Sequence, residues 1–91
     1  MEIRTGTGQR IDEAVSKAEG VLADLWERWQ DEAGLEDLRD YAQALAAVFP
    51  PDVEVLRVVG HPFGPVVKCR GRRFRIIVTA RQIRWQSIRG S

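Results

Sequence analysis

The chain is poor in the residues that build special-purpose scaffolds. Its 91 residues include one cysteine (Cys69), one histidine (His61) and one methionine. A lone cysteine forms no internal disulfide, and one histidine gives no metal-ligand spacing. A disulfide scaffold and a zinc module are therefore excluded. No apolar run approaches 18 residues, which excludes a membrane-spanning helix. The start, Met1-Glu2-Ile3-Arg4, lacks the basic stretch and apolar run of a signal peptide. The expectation is one domain over residues 1–91 in a reducing, cytoplasmic setting. No cofactor, metal, membrane or small-molecule substrate is implied.

Acid is scarce in one half of the chain and base in the other. Residues 1–52 carry five basic and twelve acidic side chains, a net of −7. Residues 53–91 carry nine basic side chains and one acid, Glu54, a net of +8. Such asymmetry points to an anionic partner for the second half. Twelve of the fourteen basic residues are arginine. A GC-rich genome accounts for that bias equally well, but arginine also suits bidentate contact with phosphate or carboxylate.

Ile11, Val15, Ala18, Leu22, Leu25 and Trp29 recur at alternating steps of four and three, which predicts a helix over about 9–33. Thr7 serves as its N-cap, Asp12-Glu13 suits its positive end, and Gly34 is a natural C′ residue. The stripe lasts less than three heptads, so packing on a sheet is favoured over a coiled coil. Leu38, Tyr41, Ala42, Leu45, Val48 and Phe49 predict a second helix over about 36–48, stopped by Pro50-Pro51. Residues 9–49 then read as an acidic αα-hairpin. Met1 to Thr5 reads as a short strand or a loose end.

After Asp52 the period changes to two. Val53 to Val59 reads as a strand, Gly60 to Pro65 as a loop, and Val66–Arg70 with Arg73–Val78 as a hairpin turning at Gly71-Arg72. That register pairs Arg70 with Arg73, Cys69 with Phe74, Lys68 with Arg75 and Val67 with Ile76. A second reversal near Ala80-Arg81 pairs Val78 with Ile83 and Ile76 with Trp85. The alternative for residues 79–88 is a short helix. The fold class is α+β: the acidic hairpin packed on one face of a three- or four-stranded antiparallel meander over 53–89.

This register sorts the side chains. Val67, Cys69, Phe74 and Ile76 share one face, and Lys68, Arg70, Arg73 and Arg75 share the other with Arg84 and Gln86. A slip of one residue would mix them. Like charges directly opposite repel by a few tenths of a kcal/mol each. Phosphates, an acidic protein patch or the acidic helices of a second copy, as in a homodimer, would offset this. Lys68, Arg70, Arg73, Arg75 and Arg84 are the candidate binding residues, with Arg72 and Arg81 extending the footprint at the hairpin tips. Phe74 and Trp85 point inward in this register, so base stacking is not part of the expected mechanism. A solvated arginine face that binds nothing specific is the plain alternative.

Other features favour plain readings. The acidic helix surface reads as a solubilising face, or else as a nucleic-acid mimic or a dock for a basic partner. His61, between glycine and proline, reads as a loop residue and not a general acid or base, and Cys69 as a small buried hydrophobe. Trp26, Trp29 and Trp85 read as anchors. Gly6-Thr7-Gly8 lacks the length and lysine of a phosphate loop. No catalytic residue is assigned.

The segment Lys68-Cys69-Arg70-Gly71-Arg72-Arg73-Phe74-Arg75-Ile76-Ile77-Val78, followed by Ile83-Arg84-Trp85-Gln86-Ser87-Ile88-Arg89, resembles the basic C-terminal strands of RelE/ParE-type toxins. The order of a possible N-terminal strand, two helices and an antiparallel meander is similar too. The resemblance implies action on mRNA without metal, or on a nucleic-acid enzyme, with Lys68, Arg70, Arg75, Arg81 and Arg84 as candidates. The leading expectation remains a small non-enzymatic module that binds nucleic-acid backbone or an acidic protein surface. Its size suits an inhibitor or accessory protein of a mobile element.

Overall fold

The computed structural model describes residues 6–31 and 38–88. The expected strand or loose end at 1–5, the link between the helices with Gly34, and Arg89 lie outside them. Two helices, α1 (Gly6–Asp31) and α2 (Arg39–Val48), precede four strands. These are β1 (Val53–Gly60), β2 (Phe63–Cys69), β3 (Arg72–Val78) and β4 (Ile83–Ile88). They form one antiparallel sheet in the order β1-β2-β3-β4, so the meander has four strands and residues 83–88 are a strand. No helix among the described residues is long and apolar enough to cross a membrane.

The expected stripe is the buried one: Ile11, Ala14, Ala18, Leu22 and Leu25 of α1 are all buried. Tyr41, Leu45 and Phe49 join them from α2 and its end. Leu38, Val53, Val58, Phe63, Val67, Cys69, Phe74, Ile76 and Val78 complete the same core. Burial of each large aliphatic or aromatic side chain contributes about 1.5–3 kcal/mol, which makes this cluster the main stabilising term.

Several local expectations are corrected. The helix α1 starts at Gly6, so Thr7 is a buried helical residue and not its cap. Asp12 and Glu13 consequently lie past the first turn and serve as fasteners. Trp85 Nε1 donates to Asp12 Oδ1 at 2.6 Å, tying α1 to β4. Arg10 grips Asp52 with two bonds of 2.8 and 2.6 Å and Glu13 with a third of 2.8 Å. That clamp fixes the N-terminal part of α1 to the turn before β1.

The loop expected over 60–65 shrinks to His61-Pro62, whose peptide is cis, because Phe63 to Pro65 already belong to β2. Gly60 pairs with Phe63, Val59 with Gly64 and Val58 with Pro65. Gly64 is there for space and not for a loop: a Cβ at this position would sit 1.7 Å from the Ile76 carbonyl oxygen, and its φ is 154°. The β2–β3 ladder begins only at Val66, past Pro65 and its missing N–H.

The β2–β3 turn is Arg70-Gly71, not Gly71-Arg72. Both have positive φ, 53° and 78°, as a type I′ turn requires, with glycine second. The observed pairs are Cys69–Arg72, Lys68–Arg73, Val67–Phe74 and Val66–Arg75. The register is thus displaced by two residues, which preserves the sorting of faces. The β3–β4 pairs Val78–Ile83 and Ile76–Trp85 are as expected. Thr79 and Gln82 close that turn with mutual bonds of 3.0–3.2 Å.

Two predictions follow the backbone and the clamp. Gly64→Ala should destabilise by about 3 kcal/mol, since a backbone oxygen must move. Gly20→Ala, on the open side of α1 with nothing within 4 Å, should stabilise by up to ~1 kcal/mol. Urea unfolding measures both, and equal effects would contradict the packing described. The second concerns acid. Hydrogen bonding from Arg10 holds the Asp52 carboxyl below its usual value, helped by the charges of Arg10 and Arg70 and opposed by desolvation. A lowered folded pKa gives stability that is present above the unfolded value of about 4 and lost as pH falls through the folded one. The stability gap between wild type and Asp52→Asn should therefore be present at pH 7 and close in acid below about pH 4. A gap that persists unchanged into strong acid would contradict this.

Candidate functional site

The sheet face turned away from the core is built from alternate residues of all four strands. Register places them in rows. Glu54, Lys68, Arg73 and Ile88 form one row. Arg57, Val66, Arg75 and Gln86 form the next. Beyond these, Ile77 faces Arg84 and Val59 faces Gly64. The face therefore gathers five cations, Arg57, Lys68, Arg73, Arg75 and Arg84, with Glu54 at its margin.

Four of the seven residues singled out from sequence come together here: Lys68, Arg73, Arg75 and Arg84. Arg70 does not. It sits in the β2–β3 turn, and its Nη1 lies 3.0 Å from where a Cβ on Gly6 would be, beside α1 and near enough to Asp52 to influence its charge. Arg72 pairs with buried Cys69 and so has the parity of the core side, at the end of the sheet. Arg81 is exposed in the β3–β4 turn, at the far end of β3. The expected facing pairs Arg70–Arg73 and Lys68–Arg75 are replaced. Lys68 lies between Glu54 and Arg73, and Arg75 between Val66 and Gln86, so one like-charge pair remains.

Arg57 is the residue that sequence reading missed. The register slips between Val55 and Arg57, so Leu56 is an extra residue. This bulge turns Arg57 outward opposite Val66 and Val58 inward to the core. Leu56 is left as the exposed large hydrophobic side chain among the described residues, at 37 %. The signal was present: strict alternation from Val53 would bury Arg57 and expose Val58.

Between the cations of this face lies an aliphatic floor. Val66 and Ile77 are only 4 % and 7 % exposed although they lie outside the core cluster. Long arginine side chains can lay their aliphatic stems over such residues while keeping the charged head in water. Arg75 is the most tightly held. Its Nη2 donates to the His61 carbonyl at 3.1 Å, while its Nε is buried with no hydrogen-bond partner. His61 itself is exposed, and its ring meets that of Trp29 in a T-shaped contact, ring centres 5.3 Å apart. Phe74 and Trp85 meet edge to face at 5.5 Å on the core side, and among the described strand residues no aromatic ring has the parity of the outer face. Among the described residues no ion pair neutralises Arg57, Lys68, Arg73 or Arg84.

Comparison with known proteins gives no match, whether to a family model, a curated protein or a solved structure. A functional reading therefore rests on this face alone.

Proposed function

We propose that the protein is a small interaction module whose outer sheet face binds an anionic surface, either nucleic-acid backbone or the acidic face of a protein that handles nucleic acid. The observation that supports it is five cations on one open face, four of them arginine, without neutralising partners among the described residues. Arginine offers paired N–H donors to phosphate or carboxylate. With no aromatic ring on the face, contact with nucleic acid would be to backbone and indifferent to base sequence. The acidic surface of the helices repels a polyanion and leaves one orientation for binding. Such a module suits the role of inhibitor or accessory protein.

A second reading, a RelE/ParE-like toxin, draws on Lys68, Arg75 and Arg84 sharing the face after two helices and a meander. Its test is expression in a bacterial host. Growth arrest relieved by Arg75→Ala or Arg84→Ala supports it, and harmless expression rejects it.

For the leading reading, binding to a labelled 30-mer duplex should weaken roughly 10²- to 10³-fold between 50 and 200 mM salt if about five phosphates are contacted. Arg73→Gln should lower the slope of log affinity against log salt by about one. Arg75→Met retains cover for the aliphatic floor and removes a buried, unpaired N–H. Stability should stay within about 1 kcal/mol of wild type while binding falls. A response flat in salt excludes phosphate contact. Retention of one stoichiometric protein in a nuclease-treated pull-down, lost in Arg75→Met, then selects the acidic-protein branch.

A further inference from the structure

The outer face is an open sheet surface, and the chain carries a matching surface of opposite charge on its far side. Glu13, Asp24, Glu27 and Asp31 are exposed on α1. At 100° per residue they fall within a sector of about 60°, with Gly20 in the same sector. Gly20 has nothing within 4 Å of its Cβ position, so the stripe has a low point along its length. Glu13 also pairs with Arg10, but among the described residues Asp24, Glu27 and Asp31 have no ion-pair partner. Lys17 and Arg28 flank the stripe on one side.

Dimensions agree as well as charge. From Glu13 to Asp31 the stripe runs about 27 Å at 1.5 Å per residue. The seven-residue strands β2 and β3 run about 23 Å each at 3.3 Å per residue. The inner face of the sheet is already covered by α1 and α2, and among the described residues no helix lies on the outer face.

We propose that the outer face of one copy docks the acidic stripe of α1 from a second copy, so that self-association masks the cationic face until a polyanion competes for it. This rests on the reading of that face as an anion-binding surface and adds its regulation. The buried side of α1 packs against the sheet, so its acidic stripe and the cationic face point in opposite directions. The contact is therefore heterologous, head to tail. It leaves one free surface at each end and builds chains, not a closed two-fold dimer.

Sedimentation velocity of the full chain tests this. At about 50 mM salt the weight-average mass should rise with concentration from 10.3 kDa to beyond twice that value, and return to 10.3 kDa at about 500 mM salt. A monomer at every salt and concentration overturns the proposal, as does a discrete dimer indifferent to salt. Charge reversal gives the second arm. Asp24→Lys/Glu27→Lys/Asp31→Lys and Arg73→Glu/Arg75→Glu should each be monomeric alone, and mixing them should restore assembly. Failure to co-assemble, with both variants folded by circular dichroism, also overturns it. A 30-mer duplex added to wild type should dissolve the chains. A monomer that still binds duplex overturns self-association alone, whereas assembly without duplex or acidic-protein binding overturns the anion-partner reading alone.

Discussion

The position of each cation on β2 and β3 follows from one constraint, the alternation of side chains along these central strands. Val67, Cys69, Phe74 and Ile76 are at most 3 % exposed, so the residues between them have to face the other way. The energies are unequal. Burying each large apolar side chain contributes about 1.5–3 kcal/mol, whereas two like charges directly opposite cost a few tenths. The core therefore dictates the apposition of Lys68 and Arg73, and Glu54 on the other side of Lys68 eases it further. Repulsion within the sheet is too small to require a ligand. What distinguishes the face is its composition, cations over an aliphatic floor, and not its internal strain.

The helical layer is held to the sheet at both ends of α1. Near its start, Arg10 clamps Asp52 and Asp12 accepts from Trp85. Near its end, Trp29 stacks on Phe63 with ring centres 5.3 Å apart and closes over Gly60, where a Cβ would be 3.4 Å from the indole. The turn at His61 joins this end to the outer face. Its ring meets Trp29, while its backbone carbonyl holds the Arg75 guanidinium. The central arginine of the face is thus oriented by the element that α1 also fixes.

Periodicity made most of this legible. The α1 stripe, the Val78–Ile83 and Ile76–Trp85 pairs, and the outward placement of Lys68, Arg73, Arg75 and Arg84 all follow from spacing. Parity survives a register error of two residues, which is why the faces were readable although the Gly71-Arg72 turn was not. The failures share a cause: backbone geometry that departs from strict alternation. Arg70 adopts a positive φ that favours glycine and leaves the face for the turn. Gly64 and Pro65 resemble a loop in sequence, yet one makes room for the Ile76 carbonyl and the other precedes the β2–β3 ladder. Arg57 was hidden by a bulge whose only trace is a charge at an inward parity.

Under the proposed function, charge and floor together constrain the kind of partner more than charge alone. Extended lysines reaching into solvent would serve a phosphate backbone well and need no floor. Here arginines predominate, Arg75 is anchored to the His61 carbonyl, and Val66 and Ile77 are almost fully buried between the cations. Guanidinium groups held in place lose less conformational entropy on binding than mobile side chains do. A face of this kind gains from a partner whose anionic groups are fixed as well, because the matching is then geometric as well as coulombic. Regularly spaced phosphates of a duplex meet that condition, and so do carboxylates at steps of three and four along a helix. Recognition would depend on the spacing of charges, with bases and aromatic stacking playing no part.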